Sequence, residues 1–202
     1  MTFKQRVHNE IIAGAAFYKE VFVDYEYLIF SDGFSNKPYY IIRAEEDNYP
    51  HLTGVNALVP AQVFYIKCLD GSLLESDFDF SSKNRSEKEV KGSVRRKINV
   101  LPLLSDFFKG DLQAEEDFIK GKVHCSLATA DNQLTMGFVD NAALRPKTLL
   151  KNNELNSQNT VNVALVLRKS RDADKFDTVI QGDVAAFCKS FPGLYACNDI
   201  ET

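Results

Sequence analysis

A histidine, a hydroxyl and a turn-forming glycine lie within four residues of one another in segment 49–55, which reads YPHLTGV. The imidazole of His51 has an ordinary pKa near neutral pH, so it can both take and give a proton. Thr53 could hold a phosphate oxygen or orient the ring, and Gly54 would let a ligand approach the backbone closely. The segment therefore predicts acid–base chemistry. The alternative is a loop histidine beside a hydroxyl that caps the next helix.

A lysine interrupts the apolar face of the clearest predicted helix, residues 86–109. Apolar side chains recur there at steps of three and four. Lys97 falls inside their stripe, so it must extend to water, pair with an acid or line a pocket. In a pocket its fixed positive charge would stabilise the transition state of a reaction at a phosphate group. Arg95 and Arg96 lie outside the stripe and are expected to bind a substrate backbone or simply to be exposed, and Pro102 should kink or split the helix.

Two cations and a hydroxyl form a third candidate set, Arg145, Lys147 and Thr148. We predict that they lie in a connection between two strands, where they could hold a phosphate. The same residues are also typical of the first turn of an exposed helix that begins near Pro146. Both interpretations remain open from the sequence.

Several kinds of enzyme site are absent from the sequence. Glycine-rich phosphate loops, His-Glu-x-x-His and Gly-x-Ser-x-Gly do not occur, and the carboxylates show no metal-ligand spacing, so we expect no metal and no cofactor. The four cysteines contain no Cys-x-x-Cys pair, which argues against structural zinc and a disulfide framework. His124 and Cys125 are adjacent in a predicted strand and therefore point to opposite faces, one in the core and one at the surface.

The elements that must position these residues predict an α+β fold of one domain, residues 1–202. It comprises N-terminal helices and a β-hairpin, followed by a small antiparallel sheet of about four strands packed on helices. Helices are predicted at 3–23, 61–69, 86–109 and 183–190. The hairpin covers 25–43, and the later strands are 123–129, 134–139, 161–168 and 176–180.

Charge is unevenly distributed along the chain, whose net charge is −4. Residues 81–97 hold seven basic and two acidic side chains, whereas the segments on either side are acidic. The basic segment could attract the phosphate backbone of a nucleic acid. It could also be a helix face exposed to solvent. The N-terminal residues do not read as a signal peptide, and no apolar run approaches the roughly 20 residues that cross a bilayer. We therefore expect a cytoplasmic protein without membrane contact.

The order of these features resembles the phage-associated families of the barnase–EndoU–colicin–RelE nuclease superfamily. The matching pieces are the HLTG segment after a strand and loop, the helix that carries Lys97-Ile98, the paired strands that follow, and the PKTLL segment 146–150. The resemblance covers about residues 25–182, the nuclease-like core. It implies an α+β fold and a metal-independent endoribonuclease, often a toxin in conflict between phages, mobile elements and their hosts.

The resemblance also implies roles for the candidate residues. Such enzymes use the ribose 2′-hydroxyl as the nucleophile and leave a cyclic phosphate. The implied catalytic residues are His51 as the general acid or base, Lys97 and Arg145 to stabilise the added negative charge, and Thr148 to hydrogen-bond a phosphate oxygen. The remaining candidates would bind substrate around them: Thr53, Gly54, Arg95, Arg96 and Lys147. The implied partners are RNA and a cognate antitoxin or immunity protein. A negative net charge departs from the strongly basic character of small ribonucleases.

Two other functions are compatible with the sequence. A non-catalytic adaptor of a mobile element could grip a partner through the tyrosines of the predicted hairpin, because tyrosine combines large contact area with a polar tip. A degenerate nuclease fold could be retained for RNA binding. The enzyme hypothesis requires His51, Lys97 and Thr148 to converge on one cleft, and dispersal of these residues would favour the adaptor.

Overall fold

A nine-stranded sheet lies at the centre of the described residues, 1–196, in a computed structural model of the protein. Most of the helices pack on one face of this sheet, and the last helix packs on the other. The helices are α1 Phe3–Tyr18, α2 Tyr49–Thr53, α3 Ala61–Leu69, α4 Glu87–Ile98 and α5 Val184–Ser190. The predicted α+β class is confirmed, but the predicted small sheet of about four strands is wrong.

The strands pair in the order β11-β5-β8-β9-β10-β2-β1-β12-β13. All neighbours are antiparallel except β10 and β2, which are parallel. β3 pairs with β4 and β6 with β7 as separate small ribbons. The strands are β1 Tyr25–Phe30, β2 Tyr39–Arg43, β3 Asn56–Ala57, β4 Phe78–Asp79, β5 Gln113–Glu116, β6 Ile119–Lys120, β7 Val123–His124, β8 Leu127–Ala130, β9 Leu134–Asn141, β10 Ala143–Lys151, β11 Val161–Asn162, β12 Leu165–Ser170 and β13 Thr178–Gly182.

The first helix forms where its apolar pattern predicts. Thr2 and Gln5 make a reciprocal capping box at its start, which satisfies two backbone N–H groups. Val7, Ile11 and Tyr18 then recur on its buried face. The helix continues as a π-helical turn over Lys19–Val23, so the predicted span 3–23 is confirmed.

The predicted hairpin 25–43 is also confirmed, as the antiparallel pair β1 and β2. Successive side chains of β1 point to opposite faces of the sheet, and those on both faces are buried. Tyr27 and Ile29 join the main core under the helices, whereas Leu28 packs with Phe187 of α5 on the opposite face. This two-sided burial explains the continuous run of apolar and aromatic residues over 27–30.

The long helix predicted at 86–109 is divided. α4 ends at Ile98, and a 3-10 helix, Leu101–Asp106, begins at the position before Pro102. Proline lacks the N–H that a continuing helix would use, so the predicted break has its expected cause. Helix α3 and the closing helix α5 with its Asp183 N-cap form as predicted.

The segment 145–150 forms the middle of β10, so its prediction as a connection between strands is wrong. A register shift between Pro146 and Thr148 marks a bulge in the pairing with β9. Proline is tolerated at such irregularities because no ladder hydrogen bond is required there. The bulge also explains why Leu144 and Leu149 share one core despite their odd spacing, which in a regular strand would place them on opposite faces.

Candidate functional site

Helices α2 and α4 and strand β10 pack against one another, and each carries one of the predicted site segments. α2 begins with a proline in its first turn and ends at Gly54, whose φ of 80° is the left-handed conformation common after a helix. The Gly54 N–H donates to the Pro50 carbonyl at 3.1 Å. This single turn leaves the side chain of His51 exposed at the surface.

Lys97 reaches from α4 to the backbone of α2. Its Nζ donates a 2.6 Å hydrogen bond to the main-chain carbonyl of His51. The lysine stem lies against Gly54, where an added Cβ would be 2.8 Å from the Lys97 Cδ. The side chain is partly buried, and burial, with the nearby charge of Arg85, lowers the pKa of Lys97 to about 8. The ammonium is therefore charged at pH 7 and can release its proton just above that pH.

Strand β10 contributes two further cations. The Arg145 Nε donates to the amide oxygen of Asn48 at 3.3 Å, and its guanidinium pairs with Asp47. Lys147 donates from Nζ to the main-chain carbonyl of His124 at 2.9 Å. Since Arg145 stands beside Pro146 and Lys147 occupies the bulge, the irregular part of β10 is the part that carries these charges.

His51 lies within electrostatic range of these groups. The pKa of His51 is lowered, first by partial desolvation of the ring and then by the positive charges of Lys97, Arg145 and Lys147, while Asp47 opposes them. We call His51, Lys97, Arg145 and Lys147 the His51 cluster. At pH 7 its imidazole is neutral and surrounded by cations, an arrangement that can accept a proton and stabilise a nearby anion.

Both predicted threonines lie in the interior. Thr53 is fully buried, and its hydroxyl donates to the Pro50 carbonyl at 2.8 Å, which stabilises the α2 turn. Thr148 is 5% exposed, and its methyl group lies beside Gly137, where an added Cβ would be 2.9 Å away. The bulge turns Thr148 to this buried side. The structure therefore brings His51 and Lys97 together but does not bring Thr148 with them.

The two arginines of α4 point elsewhere. Arg95 lies over the ring of Phe3, with its guanidinium carbon 5.2 Å from the ring centroid. Arg96 is exposed one position before Lys97, and an angular step of about 100° per residue separates the two side chains. Neither arginine contributes to the lowered pKa of His51, so both lie outside the His51 cluster.

Two residues that sequence reasoning left out complete the site. Asp47 and Asn48 hold Arg145, and the amide oxygen of Asn48 also accepts from the N–H of Glu45. They belong to the acidic loop before α2, whose composition gives no sign of a partner in β10. A signal did exist in the position of this loop, because it joins the hairpin to the His51 segment.

The tyrosines of the hairpin are engaged within the protein. Tyr27 is buried and stacks on Phe108, with ring centroids 4.1 Å apart. Tyr40 is also buried, and its hydroxyl donates to Glu116 at 2.5 Å. Arg168 lies over the ring of Tyr25 at 4.3 Å. These contacts remove the exposed tyrosine surface on which the adaptor hypothesis depended.

His124 and Cys125 lie as predicted, with the imidazole exposed and the thiol buried. Burial raises the pKa of Cys125, which opposes its use as a thiolate nucleophile. Within residues 1–196, no three His, Cys, Asp or Glu side chains are arranged to hold a metal ion. None of the helices in that range combines the length and apolar character needed to cross a bilayer.

Comparison with protein families matches residues 10–184, most of the chain, to the model of one family, described as phage-Barnase-EndoU-ColicinE5/D-RelE like nuclease4. Searches of curated proteins and of solved structures gave no match. The matched range contains α2, α4 and β10, and therefore the whole His51 cluster.

Proposed function

Because the chain belongs to this family of phage-Barnase-EndoU-ColicinE5/D-RelE-like nucleases, we propose that it is a metal-independent endoribonuclease. The observation that carries the proposal is the packing of α2, α4 and β10, which brings three cations from distant parts of the chain within electrostatic range of His51. Cleavage of RNA by its own 2′-hydroxyl needs a base, a proton donor and positive charge around the phosphate. The His51 cluster offers all three.

His51 acts as the general base in this mechanism. The surrounding cations and burial favour the neutral ring, so a nitrogen lone pair is available at neutral pH. The ring removes the proton from the 2′-hydroxyl as the oxygen attacks the adjacent phosphorus. The bond between phosphorus and the 5′-oxygen then breaks, which leaves a 2′,3′-cyclic phosphate on one fragment and a 5′-hydroxyl on the other.

Lys97 is the proton donor for the leaving 5′-oxygen. With a pKa of about 8 it is protonated at pH 7 yet acidic enough to transfer its proton in the transition state. Its hydrogen bond to the His51 carbonyl positions it beside the base. Arg145 and Lys147 stabilise the additional negative charge on the phosphate, and bonds to Asn48 and to the His124 carbonyl hold these two side chains.

Thr53 and Gly54 support this site from below rather than contacting RNA, and Thr148 lies on the buried side of β10 beside Gly137. Thr53 closes the turn that presents His51, and Gly54 leaves the space in which the Lys97 stem lies. The phage association of the family also supports a toxin role in conflict between mobile elements and hosts, with an antitoxin or immunity protein as partner. An inhibitor of this kind would cover the His51 cluster.

The test is cleavage of total cellular RNA by purified protein in the presence of EDTA. Wild type, His51→Ala and the control His8→Gln are compared, since His8 lies on α1 and bonds the Leu73 carbonyl outside the cluster. We expect cuts that end in cyclic phosphate in wild type and control, and a loss of about 100-fold to 10,000-fold in His51→Ala. Equal cutting by all three proteins would remove His51 from the mechanism. No cutting of any RNA class would favour a binding protein.

A further inference from the structure

A groove of about 600 Å³ lies between the start of α1 and the segment that leads into α4. It is separate from the His51 cluster, and three of the residues that line it are cations: Lys4, Arg85 and Lys91. Hydroxyl groups of Thr2, Ser81 and Ser82 share the lining. The groove thus combines positive charge with hydrogen-bonding groups, which suits an anionic ligand.

The acids of the groove are already occupied. Asp79 accepts hydrogen bonds from Asn56 and from the backbone and hydroxyl of Ser81. Glu87 pairs with Lys91 at 2.5 Å. By contrast, among the described residues neither Lys4 nor Arg85 forms an ion pair. Neither cation is therefore held in a direct ion pair, although Asp79 lies within electrostatic range of Lys4 and Glu89 within range of Arg85.

The first turns of α4 line the groove, and the last turn of the same helix carries Lys97 of the His51 cluster. Arg95, which lies over Phe3 at the edge of the groove, extends the positive surface. Arg85 in the groove acts electrostatically on Lys97 in the cluster. The 12 residues of α4 span about 18 Å between these two places. A chain of phosphates could therefore follow the helix from one to the other.

We propose that this groove binds the phosphate backbone of single-stranded RNA on one side of the bond that the His51 cluster cleaves. The inference rests on the proposed function and extends it, because it makes affinity depend on RNA length. The lining favours phosphate over an apolar peptide, since Phe80 is only 6% exposed. Five of the exposed large apolar side chains lie on or near α3 instead: Leu58, Val63, Ile66, Leu69 and Leu74.

The test uses a fluorescein-labelled 12-nucleotide RNA in which every 2′-hydroxyl is methylated, so that binding is measured without cleavage. Lys4→Gln/Arg85→Gln is compared with Lys109→Gln/Lys120→Gln, a control that removes two exposed cations elsewhere. We expect the groove variant to raise Kd about tenfold. The slope of log K against log salt should fall by about 0.7 for each lost phosphate contact. The control should bind as wild type does.

Equal Kd values and salt slopes in the groove variant, the control and wild type would overturn the proposal. The same holds if wild type does not bind the RNA. Arg85→Glu should weaken binding further than loss of the charge alone, and thermal melts identify any variant that is unfolded. Binding through the groove without cleavage of total RNA would instead contradict the proposed function alone. If the groove variant bound the RNA as wild type does but lost binding to an acidic protein, the groove would be assigned to a protein partner and the RNA assignment would be overturned.

Discussion

Lys97 is bound to the main chain of His51 and not to its ring. The 2.6 Å hydrogen bond from Nζ to the carbonyl fixes the ammonium relative to α2, and none of the hydrogen bonds within residues 1–196 uses a ring nitrogen of His51. A direct bond to the imidazole would have used the lone pair that a base requires. The imidazole of His51 can therefore be neutral while the neighbouring ammonium of Lys97 is protonated.

The pH dependence of cleavage should reflect this pair. Activity needs neutral His51 and charged Lys97, so kcat/KM should rise as pH passes the His51 pKa, which lies below 6.5, and fall above about 8. Lys97→Arg keeps the charge but cannot release a proton, so it should lower the rate and abolish the alkaline fall. Rate profiles from pH 5 to 9.5 measure both. An unchanged alkaline limb in Lys97→Arg would exclude Lys97 as the proton donor.

The pH dependence of the unfolding free energy should also reflect the lowered pKa of Lys97. The pKa of Lys97 is about 8 in the folded protein and 10.5 in its ordinary state. Between these values the unfolded chain binds more protons, so this group makes the folded state more stable as pH rises. Urea denaturation of wild type and Lys97→Met should therefore show their difference in unfolding free energy moving in favour of wild type from pH 8 to 10.5. A constant difference across that window would contradict the lowered pKa.

A comparison of two glycine substitutions distinguishes the cost of backbone strain to stability from the effect of a displaced Lys97 on cleavage. Gly54 and Gly71 both have positive φ, +80° and +76°, but only Gly54 would place a Cβ 2.8 Å from Lys97. Gly54→Ala and Gly71→Ala should each cost about 1–2 kcal/mol in unfolding free energy from the left-handed conformation. Only Gly54→Ala should also reduce cleavage, because Lys97 must move. Comparable activity in the two variants would show that the position of Lys97 is unimportant.

Gly137 should tolerate no side chain, because an added Cβ would lie 2.6 Å from the sulfur of Cys125 and 2.9 Å from the Thr148 methyl. We expect Gly137→Ala to lower the unfolding free energy by about 1–3 kcal/mol. Cys125→Ala in the same chain should recover part of that loss by removing the sulfur. Chemical denaturation of the two single variants and the double variant measures the coupling, and strict additivity would mean that the contact is relieved in another way.

The sequence predicted elements with strong local patterns and missed those that depend on distant pairing. The pattern of α1 and the Asp-Gly turn of the hairpin are local signals, and both structures form. β10 contains Arg145, Pro146 and Lys147, which read as a loop because nothing nearby indicates that β9 and β2 flank the strand. β5 was missed for a similar reason. Its sequence, QAEE, resembles no strand until β8 and β11 pair with it.

The positions of the candidate residues in the fold could be predicted from the sequence where they depend on local pattern and not where they depend on distant pairing. Lys97 was singled out because helical spacing alone placed it on the apolar face of α4. Thr148 was misplaced because one bulge reverses the side to which later residues of β10 point, and a bulge depends on pairing that the sequence does not display. Arg145 was chosen for its charge, but its partners Asp47 and Asn48 lie almost 100 positions earlier in the chain.

The parallel pairing of β10 with β2 also determines when the His51 cluster can form during synthesis of the chain. His51 and Lys147 are 96 positions apart, and the strand that carries Lys147 joins the sheet beside a strand made much earlier in synthesis. A nascent chain therefore lacks two of the four members of the His51 cluster until residue 147 has left the ribosome. The site is therefore completed late in synthesis, after the hairpin and the helices α1 to α4 have been made.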